Sequence, residues 1–417
     1  MRSFVLFLTI LFPLCFQLFA EDERKEKQES GDDTKLVPDL TYEQHPGLAY
    51  AASKIYFTDQ RYSLSGFGEI NAVHYGGDKP VDSGDLELFY SNLYRFSTFF
   101  GYKVRENLIF NFEFLGELLH DGRREIGQDI VIEAMLDWMI HRRFNLRFGY
   151  YPLPLGYINN NDEPVMFFSV NRPEVERLII PSSWISLGTM AFGVLLARMS
   201  YSVGLVGGLD SGEFIGGSWI RQGRRIHHGV PKDAAVVGKL EWRGIPRFVA
   251  GVSGYHGGSG DGRVVDGRPL GANVTVGAVH AKYETERWRL LGVAAVGGLT
   301  DTPQLHTLTG HVLGKESFGY YVESGYDILP SFTGRVSRRK LPLFVRYERL
   351  NTHRDVAPEL RNLPRFENDL RVVTVGANFN LKRSVVFKGN YQFRQNLFAN
   401  SMLREGNRAE FGFGFIF

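Results

Sequence analysis

Most of the chain alternates apolar and polar residues with a period of two. In 108–118, Phe110, Phe112 and Phe114 share one face and Glu113 lies on the other. Successive side chains of a β-strand point to opposite faces, so this pattern predicts a strand with one apolar and one polar face. The pattern predicts sixteen such segments, of which 86–102 alternates poorly: 62–74, 86–102, 107–120, 127–140, 145–153, 186–196, 201–209, 233–243, 247–257, 271–284, 287–299, 316–328, 341–352, 368–381, 384–396 and 407–417.

The connections between these segments alternate between short turns and long loops. Lipid cannot hydrogen-bond to backbone N–H and C=O groups, so a sheet in a membrane must close on itself. We therefore predict that residues 61–417 form an all-β transmembrane antiparallel up-and-down β-barrel of about sixteen strands. Aromatic residues near strand ends, such as Tyr320 and Tyr321, suit the interfacial girdles of such a barrel.

The stretch 178–197 has no charged residue and could be mistaken for a membrane-spanning helix. It contains Pro181, Gly188 and Gly193. Because lipid-exposed helices seldom contain so many breakers, we predict a loop that runs into a strand.

The N-terminus has the layout of a secretory signal peptide. A short positive start precedes the apolar run 4–14, and a small residue, Ala20, precedes an acidic stretch. We predict cleavage after residue 20, with a lipid anchor at Cys15 as the alternative. Cys15 is the single cysteine, so a chain cleaved after Ala20 could form neither a disulfide nor a thiolate metal site. We expect residues 21–60 to be a polar, flexible periplasmic segment.

The last strand places four phenylalanines on one face. Phe411, Phe413, Phe415 and Phe417 alternate with Gly412, Gly414 and Ile416. In a soluble protein such a face would promote aggregation. The pattern resembles the C-terminal signature of bacterial outer-membrane proteins, in which the terminal aromatic residue, here Phe417, is an assembly signal for the barrel-assembly machinery. We therefore expect a multi-pass β-barrel in the bacterial outer membrane.

A barrel of about sixteen strands encloses an aqueous channel, so the polar strand faces supply candidate pore-lining charges. The acidic ones are Glu69, Glu113, Glu117, Glu133, Asp137, Glu241, Glu323, Glu348 and Glu410, and the basic ones are Arg147, Lys239, Arg243, Lys282, Arg346 and Lys388. Both signs are present, which indicates a mixed lumen. For any single wall charge, pairing across strands is favoured over a direct role in transport.

The longest connection, 154–185, is too rich in apolar residues to remain in solvent. We expect it to fold into the lumen and narrow it; the alternative is a lid over the mouth or a contact with a neighbouring subunit. In the first case its charged residues would meet permeating solutes. They are Asp162, Glu163, Arg172, Glu174, Glu176 and Arg177.

Four stretches, Arg147–Gly156, Asn161–Pro181, Ser65–Ile70 and Ala51–Tyr56, resemble the phosphate-selective porin O and P family. The resemblance implies a sixteen-stranded, trimeric outer-membrane porin. Members of that family line the pore with rows of arginine and lysine, and this sequence has no such row. The predicted function is therefore passive diffusion of small hydrophilic solutes or ions, with anions such as phosphate as one option.

Other partners and activities are less well supported. Lys and Arg total 48 against 46 Asp and Glu, so a nucleic-acid partner bound by bulk charge is not expected. The sequence has neither Gly-x-Ser-x-Gly nor His-Glu-x-x-His, and we predict no enzyme, no cofactor and no metal site. An adhesin or other surface-binding barrel remains the main alternative, because the outer loops are long, and an outer-membrane barrel enzyme is a weaker one. The basic stretch Arg221–His228 could attract anions or lipopolysaccharide phosphates, although a solvated charged loop is favoured.

Overall fold

The computed structural model describes residues 44–76, 94–120, 125–224, 231–333, 339–402 and 405–417. The signal peptide, Cys15 and residues 21–43 lie outside this part. The strands are β1 (Tyr62–Tyr75), β2 (Tyr94–Arg105), β3 (Leu108–His120), β4 (Glu125–His141), β5 (Phe144–Pro152), β6 (Ile185–Leu196), β7 (Met199–Gly207), β8 (Ala234–Trp242), β9 (Phe248–Gly258), β10 (Val264–Val265), β11 (Arg268–Pro269), β12 (Asn273–Glu284), β13 (Trp288–Leu299), β14 (Glu316–Asp327), β15 (Pro342–Asp355), β16 (Asp369–Lys382), β17 (Val385–Asn396) and β18 (Arg408–Ile416).

Sixteen of these strands form one closed antiparallel barrel, in which β1 pairs with β18 and every other strand pairs with its neighbours along the chain. The two short strands β10 and β11 form a separate hairpin in the loop between β9 and β12. The predicted up-and-down barrel is therefore confirmed. Each of the sixteen predicted segments overlaps one barrel strand; of the segment 86–102, residues 86–93 lie outside the described part.

The seam between the first and last strands includes the C-terminal residue. The backbone N–H of Phe417 donates to the carbonyl oxygen of Gly66 at 2.9 Å, and the N–H of Gly66 donates back to the carbonyl of Phe417 at 2.9 Å. The ring of Phe417 stacks on Phe96 of β2, with 6.1 Å between centroids. Phe417 thus closes the barrel, and its role as an assembly signal remains a prediction.

Apolar side chains cover the outer face of the barrel. Phe96 and Phe393 are 51% and 52% exposed, and both alternate with buried polar residues of the lumen. A continuous exposed apolar belt on a closed barrel requires lipid around it. One girdle expectation was wrong: Tyr320 faces outwards, but Tyr321 is fully buried in the lumen, because adjacent strand residues point to opposite faces.

The short turns and the long loops lie at opposite ends of the barrel, as predicted. Strand β6 includes most of the uncharged stretch 178–197, so the prediction of a strand there is confirmed. No helix in the described residues is long and apolar enough to cross a membrane.

The described helices are short. The α-helices span Tyr50–Phe57, Glu174–Leu178, Thr302–Thr309 and Leu329–Thr333, and the 3-10 helices span Ile158–Asn160, Ser211–Glu213, Arg221–Gly223 and Pro358–Leu360.

The helix Tyr50–Phe57 lies inside the barrel, which corrects the expected flexible segment for residues 44–60. The hydroxyl of Ser65 donates to the carbonyl oxygen of Ala51 at 2.6 Å. Ile55 packs on Gly101, where an added Cβ would lie 2.4 Å from the Cβ of Ile55. Ala51 and Ile55 are buried, so the apolar face of this helix is covered by the wall rather than by solvent.

Candidate functional site

The candidate site is the barrel lumen, which is crossed by residues 153–184, here called the constriction loop. This loop leaves the wall at β5 and returns at β6, yet it contacts strands on the far side. The N–H of Val170 donates to Asn390 Oδ1 of β17 at 2.8 Å. The ammonium of Lys388 donates to the carbonyl oxygen of Phe167 at 2.8 Å. Its contacts with inward-facing side chains show that the loop lies within the lumen.

Apolar packing holds the constriction loop in place. Leu155, Ile158, Val175, Ile179 and Ile180 are fully buried. Complete burial of a side chain of this size contributes about 1.5–3 kcal/mol. The loop therefore belongs to the core of the barrel rather than to its solvent-exposed edge.

The predicted lumen residues Arg147 and Asp137 pair with each other and hold the N-terminal segment. Arg147 donates to both carboxylate oxygens of Asp137, at 2.7 and 2.8 Å, from the adjacent strand. The hydroxyl of Tyr56 donates to Asp137 at 2.9 Å, and His45 Nε2 lies 3.2 Å from the same carboxylate. His45 stacks on Tyr56, with 3.7 Å between centroids. Burial lowers the pKa of His45 and so favours the neutral ring.

A second cluster centres on Arg95, which the sequence analysis missed. Arg95 contacts Glu69 at 3.0 Å, Glu117 at 2.7 Å and Asp162 at 2.8 Å. Arg172 of the constriction loop also pairs with Asp162. The cluster joins three neighbouring strands to the loop. Arg95 was overlooked because the segment 86–102 alternates poorly in the sequence.

Glu113 and Glu133 form a like-charge pair. They lie directly opposite each other in β3 and β4, both buried on the lumen side. The hydroxyl of Ser97 donates to Glu113 at 2.5 Å. Two ionised carboxylates at opposed strand positions would repel each other, which favours a proton shared between Glu113 and Glu133.

Two carboxylates of the constriction loop accept backbone hydrogen bonds. Glu163 accepts from the N–H groups of Tyr50 at 3.0 Å and Ala51 at 2.6 Å, at the N-terminus of the lumenal helix. Glu176 accepts from the N–H of Ile158 at 3.1 Å and from the hydroxyl of Tyr321 at 3.2 Å. Burial raises the pKa of Glu163 and of Glu176 to about 7. Both groups therefore change charge near neutral pH.

Glu174 is a shared acceptor for three arginines. Its Oε1 lies 3.3 Å from Arg177, 2.7 Å from Arg394 of β17 and 3.2 Å from Arg408 of β18. Burial alone would raise the pKa of Glu174, but the arginines outweigh it and hold this pKa well below the usual range. Arg394 and Arg408 were also missed: both lie on the polar faces of predicted strands, but their contacts with Glu174 depend on where the constriction loop lies.

Arg346 and Glu348 join β15 to the constriction loop. Arg346 contacts Glu348 at 2.7 Å and Glu323 at 3.2 Å, and it donates to the hydroxyl of Ser169. Glu348 accepts from the N–H of Val175 at 3.3 Å. The pair thus supports the loop from the wall.

The sequence favoured a solvated loop for the basic stretch Arg221–His228, but its described part, residues 221–224, contacts the constriction loop. Arg221 and Arg224 each donate to the carbonyl oxygen of Ser182, at 2.7 and 2.8 Å. Carbonyls at the end of the constriction loop lack strand partners, and the two guanidiniums satisfy them. Residues 225–228 lie outside the described part. Arg243 lies in the turn after β8, where its 57% exposed side chain contacts Glu241 at 2.7 Å.

Some wall charges remain in contact with water. Lys282 and Glu284 of β12 pair at 2.7 Å with side chains 21% and 45% exposed, and the half-buried Lys239 and Glu241 of β8 pair at 3.6 Å. The ammonium of Lys239 also donates to the carbonyl oxygen of Gly156 in the constriction loop, at 3.3 Å. No group of three or more metal-ligating side chains is arranged to hold an ion among the residues described.

Comparisons with known proteins agree with this architecture. The chain is 28% identical over 380 residues to an uncharacterized protein of Aquifex aeolicus, covering 86% of this chain and 81% of that one. No protein-family model matches. OmpF of Salmonella typhi, in a complex with daunomycin, superposes with a TM-score of 0.56 and 12% identity over 85% of this chain and 97% of its own. The outer-membrane channel DcaP of Acinetobacter baumannii superposes with a TM-score of 0.52 and 12% identity, again over 85% of this chain and 97% of its own. The trimer form of OmpT, an outer-membrane protein of Vibrio cholerae, superposes with a TM-score of 0.51 and 10% identity over 85% of this chain and 99% of its own.

The chain has the fold of a bacterial porin. With its closed sixteen-stranded barrel and exposed apolar belt, it is a bacterial outer-membrane β-barrel. The comparisons do not distinguish the phosphate-selective O and P family from other porins of this fold.

Proposed function

We propose that the protein is a passive diffusion channel for small hydrophilic solutes or ions. The proposal rests on four charged side chains on the inner face of a barrel whose outer face is apolar. Lys282 and Glu284 are 21% and 45% exposed, and Lys239 and Glu241 keep smaller exposed fractions of 11% and 17%. Charged side chains on the inner face of a membrane barrel are stable only where water reaches them or where they are paired.

The constriction loop makes this channel narrow and weakly selective. Two of the buried lumenal arginines are matched by several carboxylates: Arg95 contacts three, and Arg346 contacts two. A neutralised arginine offers a phosphate ion little net attraction. These pairs favour a mixed solute channel over a phosphate-specific one. The other predicted site residues act in this proposal as supports that set the width of the pore.

We further propose a homotrimer whose last strand is recognised by the barrel-assembly machinery. The trimer is supported by the resemblance to the O and P porins and by the trimer form of the Vibrio cholerae protein. Chemical cross-linking in native membranes should give a ladder that ends at three copies. A ladder that ends at one copy would contradict the trimer and leave the channel proposal intact.

Planar-bilayer recording tests the channel directly. The purified barrel should give discrete, ohmic current steps with a small reversal potential in a potassium chloride gradient, because both signs of charge line the lumen. Replacing chloride by phosphate should lower the conductance without blocking it. Absence of steps from correctly folded, heat-modifiable protein would refute the proposal, and a block by micromolar phosphate would replace it with a phosphate-selective one.

A further inference from the structure

The short-turn end of the barrel is strongly basic. Seven short turns connect paired barrel strands at this end. Their described residues, counted together with the one residue that flanks each turn on either side, include eleven Lys and Arg but four Asp and Glu. The basic residues, here called the basic turn ring, are Arg105, Arg142, Arg143, Arg198, Arg243, Arg247, Arg287, Arg339, Lys340, Lys382 and Arg383; the acids are Glu106, Glu284, Glu286 and Asp327.

This excess is confined to one end. The described residues of the loops 208–233, 259–272, 300–315, 356–368 and 397–407 at the other end carry eight Lys and Arg against nine Asp and Glu. The whole chain is nearly neutral, with a formal charge of +2. The charge of the short-turn end is therefore a local feature and not a reflection of composition.

The ring is continuous around the barrel, since every one of the seven turns contributes at least one basic residue. Neighbouring turns are joined by backbone hydrogen bonds: Arg243 N–H donates to the carbonyl of Arg198 at 2.8 Å, and Asn380 N–H to that of Lys340 at 2.9 Å. These bonds fix the spacing of the charges along the ring. A ring of this form faces a surrounding surface in all directions rather than a single compact partner.

The ring also lies at the depth of lipid headgroups. Trp242 and Trp288, at the ends of β8 and β13 next to the turns, are exposed on the outer face. Tryptophan marks the boundary between hydrocarbon and water. Exposed guanidiniums directly beyond this boundary are placed to form bidentate hydrogen bonds with phosphate.

In outer-membrane barrels the short turns face the periplasm and the long loops face outwards. We propose that the basic turn ring binds the phosphate groups of anionic phospholipids in the membrane leaflet that faces the periplasm. Arg105, Arg142, Arg143 and Lys382 are exposed, and within the described residues their side chains form no ion pair with a carboxylate. They are thus available for lipid. Each basic residue near an anionic surface strengthens binding by about fivefold.

Tryptophan quenching by brominated lipids measures this preference on the complete barrel. Trp138, Trp242 and Trp288 face outwards near the ring, whereas Trp184 and Trp219 are buried inside the barrel. In wild-type protein, brominated phosphatidylglycerol should bind at least about fivefold better than brominated phosphatidylcholine at low salt, and high salt should reduce the ratio towards one. A ratio of one at low salt would overturn the proposal.

Matched variants locate the interaction. Replacing Arg105, Arg142, Arg143 and Lys382 by Gln should bring the ratio to about one. Replacing four exposed bases at the other end, Lys232, Arg268, Lys315 and Arg361, removes the same charge and should leave the ratio unchanged. Equal effects of the two sets would overturn the proposal.

Two control measurements distinguish anionic lipid from other anionic partners of the basic turn ring. Inorganic phosphate should weaken the lipid preference no more than chloride at equal ionic strength; a stronger effect of phosphate would indicate a free-anion site instead. The second measurement tests binding of the barrel to purified peptidoglycan. If the same four residues were needed for that binding and the barrel showed no lipid preference, the partner of the ring would be peptidoglycan and the lipid proposal would be wrong.

Discussion

Arg346→Gln should release the constriction loop from one wall of the barrel. The guanidinium is fully buried and contacts Glu348 at 2.7 Å and Glu323 at 3.2 Å, so its removal leaves two buried carboxylates without their cation. Breaking a buried ion pair by removing one partner costs about 3–5 kcal/mol. Glu348 also accepts from the N–H of Val175, so the strain reaches the loop.

The measurement pairs urea unfolding in lipid vesicles with single-channel recording. We expect the free energy of unfolding to fall by about 3 kcal/mol and the open-channel current to become noisier as the loop gains mobility. Arg349→Gln is the matched control, because Arg349 pairs with Asp369 at a half-buried position of the same strand, where a pair contributes about 0–1 kcal/mol. If the two variants unfold at the same urea concentration and give equal current noise, the inferred support of the loop by Arg346 is wrong.

Three further predictions test separate parts of the account. Replacing Phe417 by Ala should lower the heat-modifiable fraction in the membrane, because the ring stacks on Phe96 at the closing seam; normal levels would count against an assembly role. Raising the pH from 6 to 8 should increase the permeability ratio of potassium to chloride, because Glu163 and Glu176, each with a pKa of about 7, lose protons. The double variant Glu163→Gln, Glu176→Gln should flatten this profile, and an equally steep profile would exclude the two groups. Gly101→Ala should displace the helix Tyr50–Phe57 and raise the conductance, since the new Cβ would lie 2.4 Å from Ile55; unchanged conductance would show that this helix does not obstruct the pore.

The barrel was predictable because its strands repeat one simple rule. Period-two alternation appears wherever one face meets lipid and the other meets the lumen, so segments such as 108–118 identify both the strand and its inward side. Glu113, placed on the polar face by this rule, is buried on the lumen side in the structure. Turn lengths then give the order of the strands without any long-range information.

The contacts inside the lumen were not predictable in the same way. The helix Tyr50–Phe57 carries a weak pattern of its own, and its position depends on complementary residues far along the chain, such as Gly101 and Glu163. Arg95 and Arg394 bind partners more than twenty residues away in sequence. Periodicity shows which way a side chain points, but it does not show what a loop from another part of the chain brings to meet it.

Single-cysteine labelling tests the central claim most directly. Lys239→Cys and Lys282→Cys place thiols on the lumen side, and Val236→Cys and Val279→Cys place them on the exposed outer face of the same strands. During planar-bilayer recording, a charged, water-soluble thiol reagent should lower the current through the first two variants and leave the second two unchanged. Equal responses from both pairs, or none from the lumenal pair, would contradict a water-filled conducting lumen inside an apolar belt.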